Sequence, residues 1–129
     1  MASRKVVMSD KIYKARVPLS HAVKVGNILF CSGMTPFSKD RELAPDFAGQ
    51  MHRCMKNLIA VLEEGGSSLD RVAKVTVFLT RMSDFAEMNE IYKTYFKEGN
   101  YPARTTIESQ LAPNTNMLLE IETVAECDA

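Results

Sequence analysis

The hydrophobic positions of this chain change period along its length. Between residues 47 and 62, Phe47, Met51, Met55, Leu58 and Leu62 recur at spacings of three and four, the stripe of an amphipathic helix. Asp46 stands where an N-cap belongs, and Gly65-Gly66 where the helix should stop. Residues 71–80 alternate instead, with Val75, Val77 and Leu79 on one face and Lys74, Thr76 and Phe78 on the other, which predicts a strand. A second helical stripe, Phe85, Met88, Ile91, Tyr92 and Phe96, opens at Ser83 or Asp84 and is expected to run to Gly99-Asn100. Residues 104–110 and 117–126 read as two further strands, joined across 112–116.

Upstream, residues 21–25 and 28–32 are apolar runs split by Gly26-Asn27, a hairpin signal. Residues 5–8 suit a short strand, and residues 34–45, with Pro36 and Pro45, read as a loop. The order is β-β-β-α-β-α-β-β. It predicts one α+β domain over residues 1–129, with two helices covering one face of a mixed sheet.

The other face of that sheet carries the information about function. On the last strand Met117, Leu119 and Ile121 point toward the helices, while Leu118, Glu120, Glu122 and Val124 point away, with Phe78 on the matching face of the middle strand. A face wetted by bulk water is evenly polar. This mixture of apolar and charged residues predicts burial against another subunit, with a polar pocket in the interface. Arg104, Thr106 and Glu108 share one side of their strand, and Glu120 and Glu122 lie about 7 Å apart along theirs. Arg104, Glu120 and Glu122 are expected to meet on the mixed face, because a desolvated charge needs a partner. Two readings fit: an intersubunit salt bridge, or a site in which the guanidinium holds a substrate carboxylate while a Glu handles a proton or a water.

Composition narrows the choice. Lys and Arg number 16 and so do Asp and Glu, a balance that argues against nucleic acid and membrane surfaces as partners. No apolar run approaches the ~20 residues that cross a bilayer, and the first residues lack the apolar core of a secretory signal. Cys31, Cys54 and Cys127 form an odd set without a CxxC pair, so a reducing compartment, the cytoplasm, is expected. His52 and Cys54 lie two apart with no second ligand pair, so no metal is expected. Gly65-Gly66-Ser67-Ser68 is turn chemistry and not a phosphate loop.

Several motifs occur in order along the chain. They are Ala22-Val23-Lys24-Val25-Gly26-Asn27 leading into Cys31-Ser32-Gly33, then Gly66-Ser67-Ser68-Leu69-Asp70 before Val75-Thr76-Val77-Phe78-Leu79. Asp84-Phe85-Ala86 with Asn89 and Tyr92, Pro102-Ala103-Arg104-Thr105, and Glu120-Ile121-Glu122 follow. In these the chain, from about Pro18 to Glu126, resembles the Rid family of reactive-intermediate deaminases, also called the YjgF or L-PSP group. The resemblance implies a chorismate-mutase-like α+β layer assembled as a homotrimer, with sites in the clefts between subunits. It implies hydrolysis of 2-imino acids such as 2-iminobutanoate and 2-iminopropanoate to 2-keto acids and ammonia, without a cofactor.

By resemblance Arg104 binds the substrate carboxylate and Glu120 positions the attacking water. Ser32 and Gly33 line the pocket, Asn89 comes from the neighbouring subunit, and Glu122 is structural. Three wall positions depart from the family pattern: Leu19 stands where Tyr is usual, Met34 where Gln is frequent, and Thr106 where many members carry Cys. The segment from Arg104 to Glu120 is one residue longer. An altered substrate range follows, and two other functions compete: an L-PSP-type endoribonuclease or translation inhibitor, and a non-catalytic carboxylate-binding or chaperone-like trimer.

Overall fold

The computed structural model describes residues 4–129. Its first strand, β1 (Arg4–Val7), pairs antiparallel with β2 (Ala22–Val25), which turns through Gly26-Asn27 into β3 (Ile28–Met34). Gly26 takes φ 60°, the left-handed conformation a two-residue hairpin loop requires. Helix α1 (Phe47–Glu64) starts where the Asp46 carboxylate accepts the Gly49 N–H and stops at Gly65, with Gly66 at φ 77°. Then come β4 (Val72–Leu79), α2 (Phe85–Tyr95), β5 (Ala103–Glu108) and β6 (Leu119–Glu126).

The sheet runs β1-β2-β3-β6-β4-β5, antiparallel throughout except for β4 and β5, which are parallel. Two helices on one face of a six-stranded mixed sheet is the architecture the periodicity predicts. The core lies between them: Met51, Met55 and Leu58 of α1 and Met88 of α2 close over Leu29, Val75, Val77, Leu79, Leu119 and Ile121. On the open face Phe30 is paired with Val124, and Phe78 with both Glu120 and Ile107; Phe30 and Ile107 remain 48 % and 42 % exposed.

Several element boundaries and the placement of Leu118 differ from the sequence reading. The first strand is shifted one residue toward the N-terminus. Helix α2 ends four residues before Gly99, because Phe96 turns extended at φ −115°, ψ 147° to stack on Tyr92 at 4.6 Å. The fifth strand stops at Glu108, whose carboxylate accepts the Met82 N–H. Leu118 is not on the open face: it packs against the core just ahead of β6, and its N–H is donated to the Gln50 amide oxygen. Strands β5 and β6 are not neighbours, since β4 lies between them.

Candidate functional site

The placement of β4 decides where the predicted site residues face. Arg104 is opposite Val75, and Val75 is fully buried under the helices. Arg104, Thr106 and Glu108 therefore lie on the helical side of the sheet at its β5 edge. Glu120 and Glu122 oppose Phe78 and Thr76 on the open side. The expectation that Arg104 meets the two carboxylates on one face does not hold within a protomer. Two separate half-sites replace it.

The first is an open cleft of about 470 Å³ bounded by Asn89, Tyr92, Lys93, Tyr101, Pro102 and Arg104. The Arg104 guanidinium lies 4.8 Å from the Tyr92 ring centroid and 5.9 Å from that of Phe85, and its Nη1 is 3.8 Å from Met88 Sδ. Among the described residues no carboxylate forms an ion pair with it. A guanidinium packed on aromatic faces keeps its planar fork available for an anion. Asn89, expected from the neighbouring subunit relative to Arg104, lines this same cleft. Thr106 follows Arg104 on the same face, half-buried, and borders neither cleft.

The second cleft, of about 550 Å³, gathers Glu120, Glu122, Ser32, Gly33, Leu19 and Met34. Its shape comes from an irregularity in β3. Cys31 pairs with Thr123 and Met34 with Ile121, so Ser32 and Gly33 together face the single residue Glu122. Such a bulge re-aims the strand locally. It carries the Gly33 backbone against Glu120: a Cβ there would collide with Glu120 Oε2 and lie 2.7 Å from Cδ. Ser32 donates its hydroxyl to Ser20 O at 2.6 Å and its N–H to His21 O at 2.9 Å, which fixes the cleft rim. Leu19 stands on that rim, 45 % exposed.

Burial raises the Glu120 carboxyl above its ordinary value of 4.5, and the neighbouring Glu122 pushes it further the same way. Among the described residues no hydrogen-bond donor or cation contacts it. A half-buried, unpartnered carboxyl with a raised pKa is suited to take a proton from water near neutrality.

Residues that carried no sequence signal shape this cleft. Tyr13 accepts the Thr35 N–H on its phenol oxygen at 3.0 Å, and its ring meets His21 edge-on at 6.0 Å. His21 is buried; its Nδ1 accepts the Ser9 N–H and its Nε2 donates to Tyr13 O, both at 3.0 Å, which selects the Nε2–H tautomer. Gln50 donates to Ala44 O and Asn116 O, and Asn57 donates to Thr35 O and Phe37 O, tying both flanking loops to α1. Polar residues inside a helical stripe are the one trace they leave in the sequence. His52 and Cys54 point apart: His52 bonds Tyr95 OH at the surface, while Cys54 is buried against Met34 O.

Fold and clefts together define a two-layer α+β protein with an arginine resting on aromatic rings on one side of the sheet and a half-buried carboxyl on the other. The chain belongs to the Rid/YjgF/L-PSP family, and the profile of the endoribonuclease L-PSP family matches residues 9–127. A RutC family protein of Pyrococcus abyssi is 39 % identical over 125 residues, spanning 95 % of this chain and 97 % of that one. RidA from the Antarctic bacterium Psychrobacter sp. PAMC 21119 superposes with a TM-score of 0.88 at 35 % identity, covering 95 % of this chain and 98 % of its own. TdcF of E. coli, whose crystal structure contains bound serine, superposes with a TM-score of 0.87 at 31 % identity over 95 % of this chain and 98 % of that one.

Proposed function

We propose that the protein is an imine deaminase, hydrolysing small 2-imino acids such as 2-iminobutanoate and 2-iminopropanoate to 2-keto acids and ammonia. The observation that carries this reading is Glu120, a half-buried carboxyl that burial holds above its ordinary pKa and that no donor among the described residues satisfies. Arg104 supplies the carboxylate grip, with Asn89 beside it. The serine in TdcF is a ligand of the matching chemistry, a small amino acid with a free carboxylate.

Because Arg104 and Glu120 face opposite sides of the sheet, one substrate reaches both when the open face of one protomer docks on the β5 edge of another. A homotrimer of the family type closes three such clefts. The exposed Phe30 and Ile107 on the open face are what that contact would cover.

The chemistry balances without a cofactor. Glu120 takes a proton from water as the water oxygen bonds to the imine carbon and the C=N electron pair moves to nitrogen. The nitrogen of the resulting carbinolamine gains that proton. The C–N bond then breaks as Glu120 passes the hydroxyl proton to the leaving nitrogen, so that the O–H electron pair forms the carbonyl and nitrogen departs as ammonia. Holding the water and the carboxylate in place supplies proximity. The three cysteines are buried and free, which suits a reducing compartment such as the cytoplasm.

The test is release of ammonia and keto acid while a serine or threonine dehydratase generates the imine. Wild type accelerates release; Arg104→Ala and Glu120→Gln fall to the buffer rate. Co-assembly of these two variants restores intact sites at about one in four, because each site needs one donor of each kind. No acceleration by wild type overturns the reading. The family's description favours a second reading, endoribonuclease. The even balance of 16 basic and 16 acidic residues weighs against it, since phosphate contacts supply most nucleic-acid affinity. Cleavage of single-stranded RNA at physiological salt would establish it.

A further inference from the structure

The Glu120 cleft contains cations that the hydrolysis described above does not use. Arg41 and Arg16 both border it, and among the described residues neither is paired with a carboxylate. Arg16 is exposed. Arg41 is half-buried and held in place.

Three features fix Arg41. It sits at the tip of a tight loop closed by the Phe37–Leu43 bridge, with its own N–H donated to Ser38 O at 2.8 Å and Ser38 N–H to Glu42 O at 2.9 Å. Its backbone takes φ 64°, a conformation that suits glycine and that a Cβ-bearing residue adopts at a cost. Its guanidinium lies over the Tyr13 ring, 5.7 Å from the centroid, and donates through Nη2 to Lys14 O. The loop is itself tied to α1 through Asn57, which holds Thr35 O and Phe37 O at 2.9 Å each.

The Tyr13 side chain places this cation with respect to the reacting centre. Glu120 is close enough to the Tyr13 hydroxyl to help raise its pKa, while Arg41 covers the ring face of the same side chain. Arg41, Tyr13 and Glu120 thus border one and the same cleft. Among the described residues no carboxylate pairs with Arg41 there, and the carboxyl of Glu120 is raised by burial and by Glu122. An arginine braced on an aromatic ring, with donors to spare, is a receptor for a planar anion.

We propose that this cleft takes a 2-imino acid bearing a second carboxylate, a dicarboxylic imine of four or five carbons, and that Arg41 selects it. The proposal rests on the deaminase reading for the reaction and adds the substrate class. Arg104 of one protomer holds the carboxylate next to the imine carbon, and Arg41 of the other holds the distal one. The reaction is the same hydrolysis, with the distal carboxylate unchanged throughout.

The experiment compares two imines made in situ by amino-acid oxidases, one from glutamate and one from 2-aminobutanoate, in wild type, Arg41→Gln and Arg41→Gly. Glycine relieves the backbone at φ 64°, so Arg41→Gly retains the fold while losing the guanidinium. Wild type is expected to favour the dicarboxylic imine in kcat/KM, and either substitution to cut that preference about tenfold, the worth of one charged hydrogen bond. A wild type that favours the monocarboxylic imine, or a preference untouched in both variants, overturns the proposal. If neither imine is cleared, the hydrolase reading fails separately, and calorimetric binding of 2-oxoglutarate against 2-oxobutanoate decides the ligand class. Tighter 2-oxoglutarate binding that is lost with Arg41 upholds the site, and equal binding removes it.

Discussion

Replacement of Gly33 by alanine isolates the position of the Glu120 carboxyl from its chemistry. The methyl group would overlap Oε2 and stand 2.7 Å from Cδ, well inside van der Waals contact, so the carboxyl must move by about 1 Å or more. It has somewhere to go, because the far end of a flexible side chain swings into an open cleft. The backbone has no reason to object, since Gly33 is not among the glycines at positive φ. The fold should therefore lose under about 1 kcal/mol, within the ordinary range for a substitution that leaves the core intact. Catalysis should lose far more, because a displacement of about 1 Å at the reacting group costs on the order of 100-fold. The assay is steady-state ammonia release with a coupled dehydratase, alongside urea denaturation of the same preparation. A double-mutant cycle identifies the cause. If Gly33→Ala acts through Glu120, it adds little on a Glu120→Gln background. Activity within about threefold of wild type, or full additivity with Glu120→Gln, would refute the idea that this contact positions the base.

Three further outcomes follow from the geometry. The rate should fall as pH drops through the raised pKa of Glu120, above 4.5, and the same shift has a stability consequence. In that window the folded state binds more protons than the unfolded state, so stability is lost as pH rises; Glu120→Gln should be more stable than wild type at neutral pH, with the gap closing in acid. Urea titrations at pH 7 and pH 4 read this, and equal midpoints at both would contradict it. His21 works in the opposite direction: burial lowers its pKa below 6.5, so the unfolded chain takes up a proton first and stability is lost as pH falls below that value. An imidazole that titrates at or above 6.5 by NMR would remove the argument. Gln50→Leu strips partners from Ala44 O, Asn116 O and Leu118 N–H beside a fully packed helix, and should cost about 3 kcal/mol by denaturation. A loss below about 1 kcal/mol would mean those groups find water instead.

How much of this was legible beforehand depends on the range of the interaction. Periodicity located the six strands and both α-helices, since the alternation in β4 and the stripe in α1 are set by which side of each element is buried, but not the single 3-10 turns at Leu69–Arg71 and Met82–Asp84. It also identified the mixed open face from Glu120, Glu122, Val124 and Phe78, because those residues share a side through the simple period of a strand. Alternation says which residues of one strand face together. It does not say which face of one strand matches which face of another, and that is where the pairing of Arg104 with Glu120 went astray. The answer lay in register: Arg104 opposite Val75 and Glu120 opposite Phe78, residues three apart on β4 and therefore of opposite orientation. Family pattern supplied the names of Ser32, Gly33 and Asn89, but not that Asn89 stands with Arg104 while the other two stand with Glu120. Tyr13, His21 and Arg41 were silent because each acts through a loop whose path no local pattern describes.

On the proposed reading, that division between the two faces lets so small a chain do chemistry with two groups of opposite charge. Had Arg104 and Glu120 met within one protomer, the Coulomb attraction between them would have drawn them into an ion pair, pulling the Glu120 pKa down and occupying the guanidinium. The sheet keeps them apart, so among the described residues each remains unsatisfied in the protomer: the carboxyl raised by burial beside Glu122, the guanidinium resting on Tyr92 and Phe85. In the proposed shared cleft a substrate would separate them again, its carboxylate on the arginine and its imine carbon toward the carboxyl. The opposing faces of the sheet thus preserve the two properties the proposed reaction needs, a carboxyl that is not already neutralised and a guanidinium that is not already occupied.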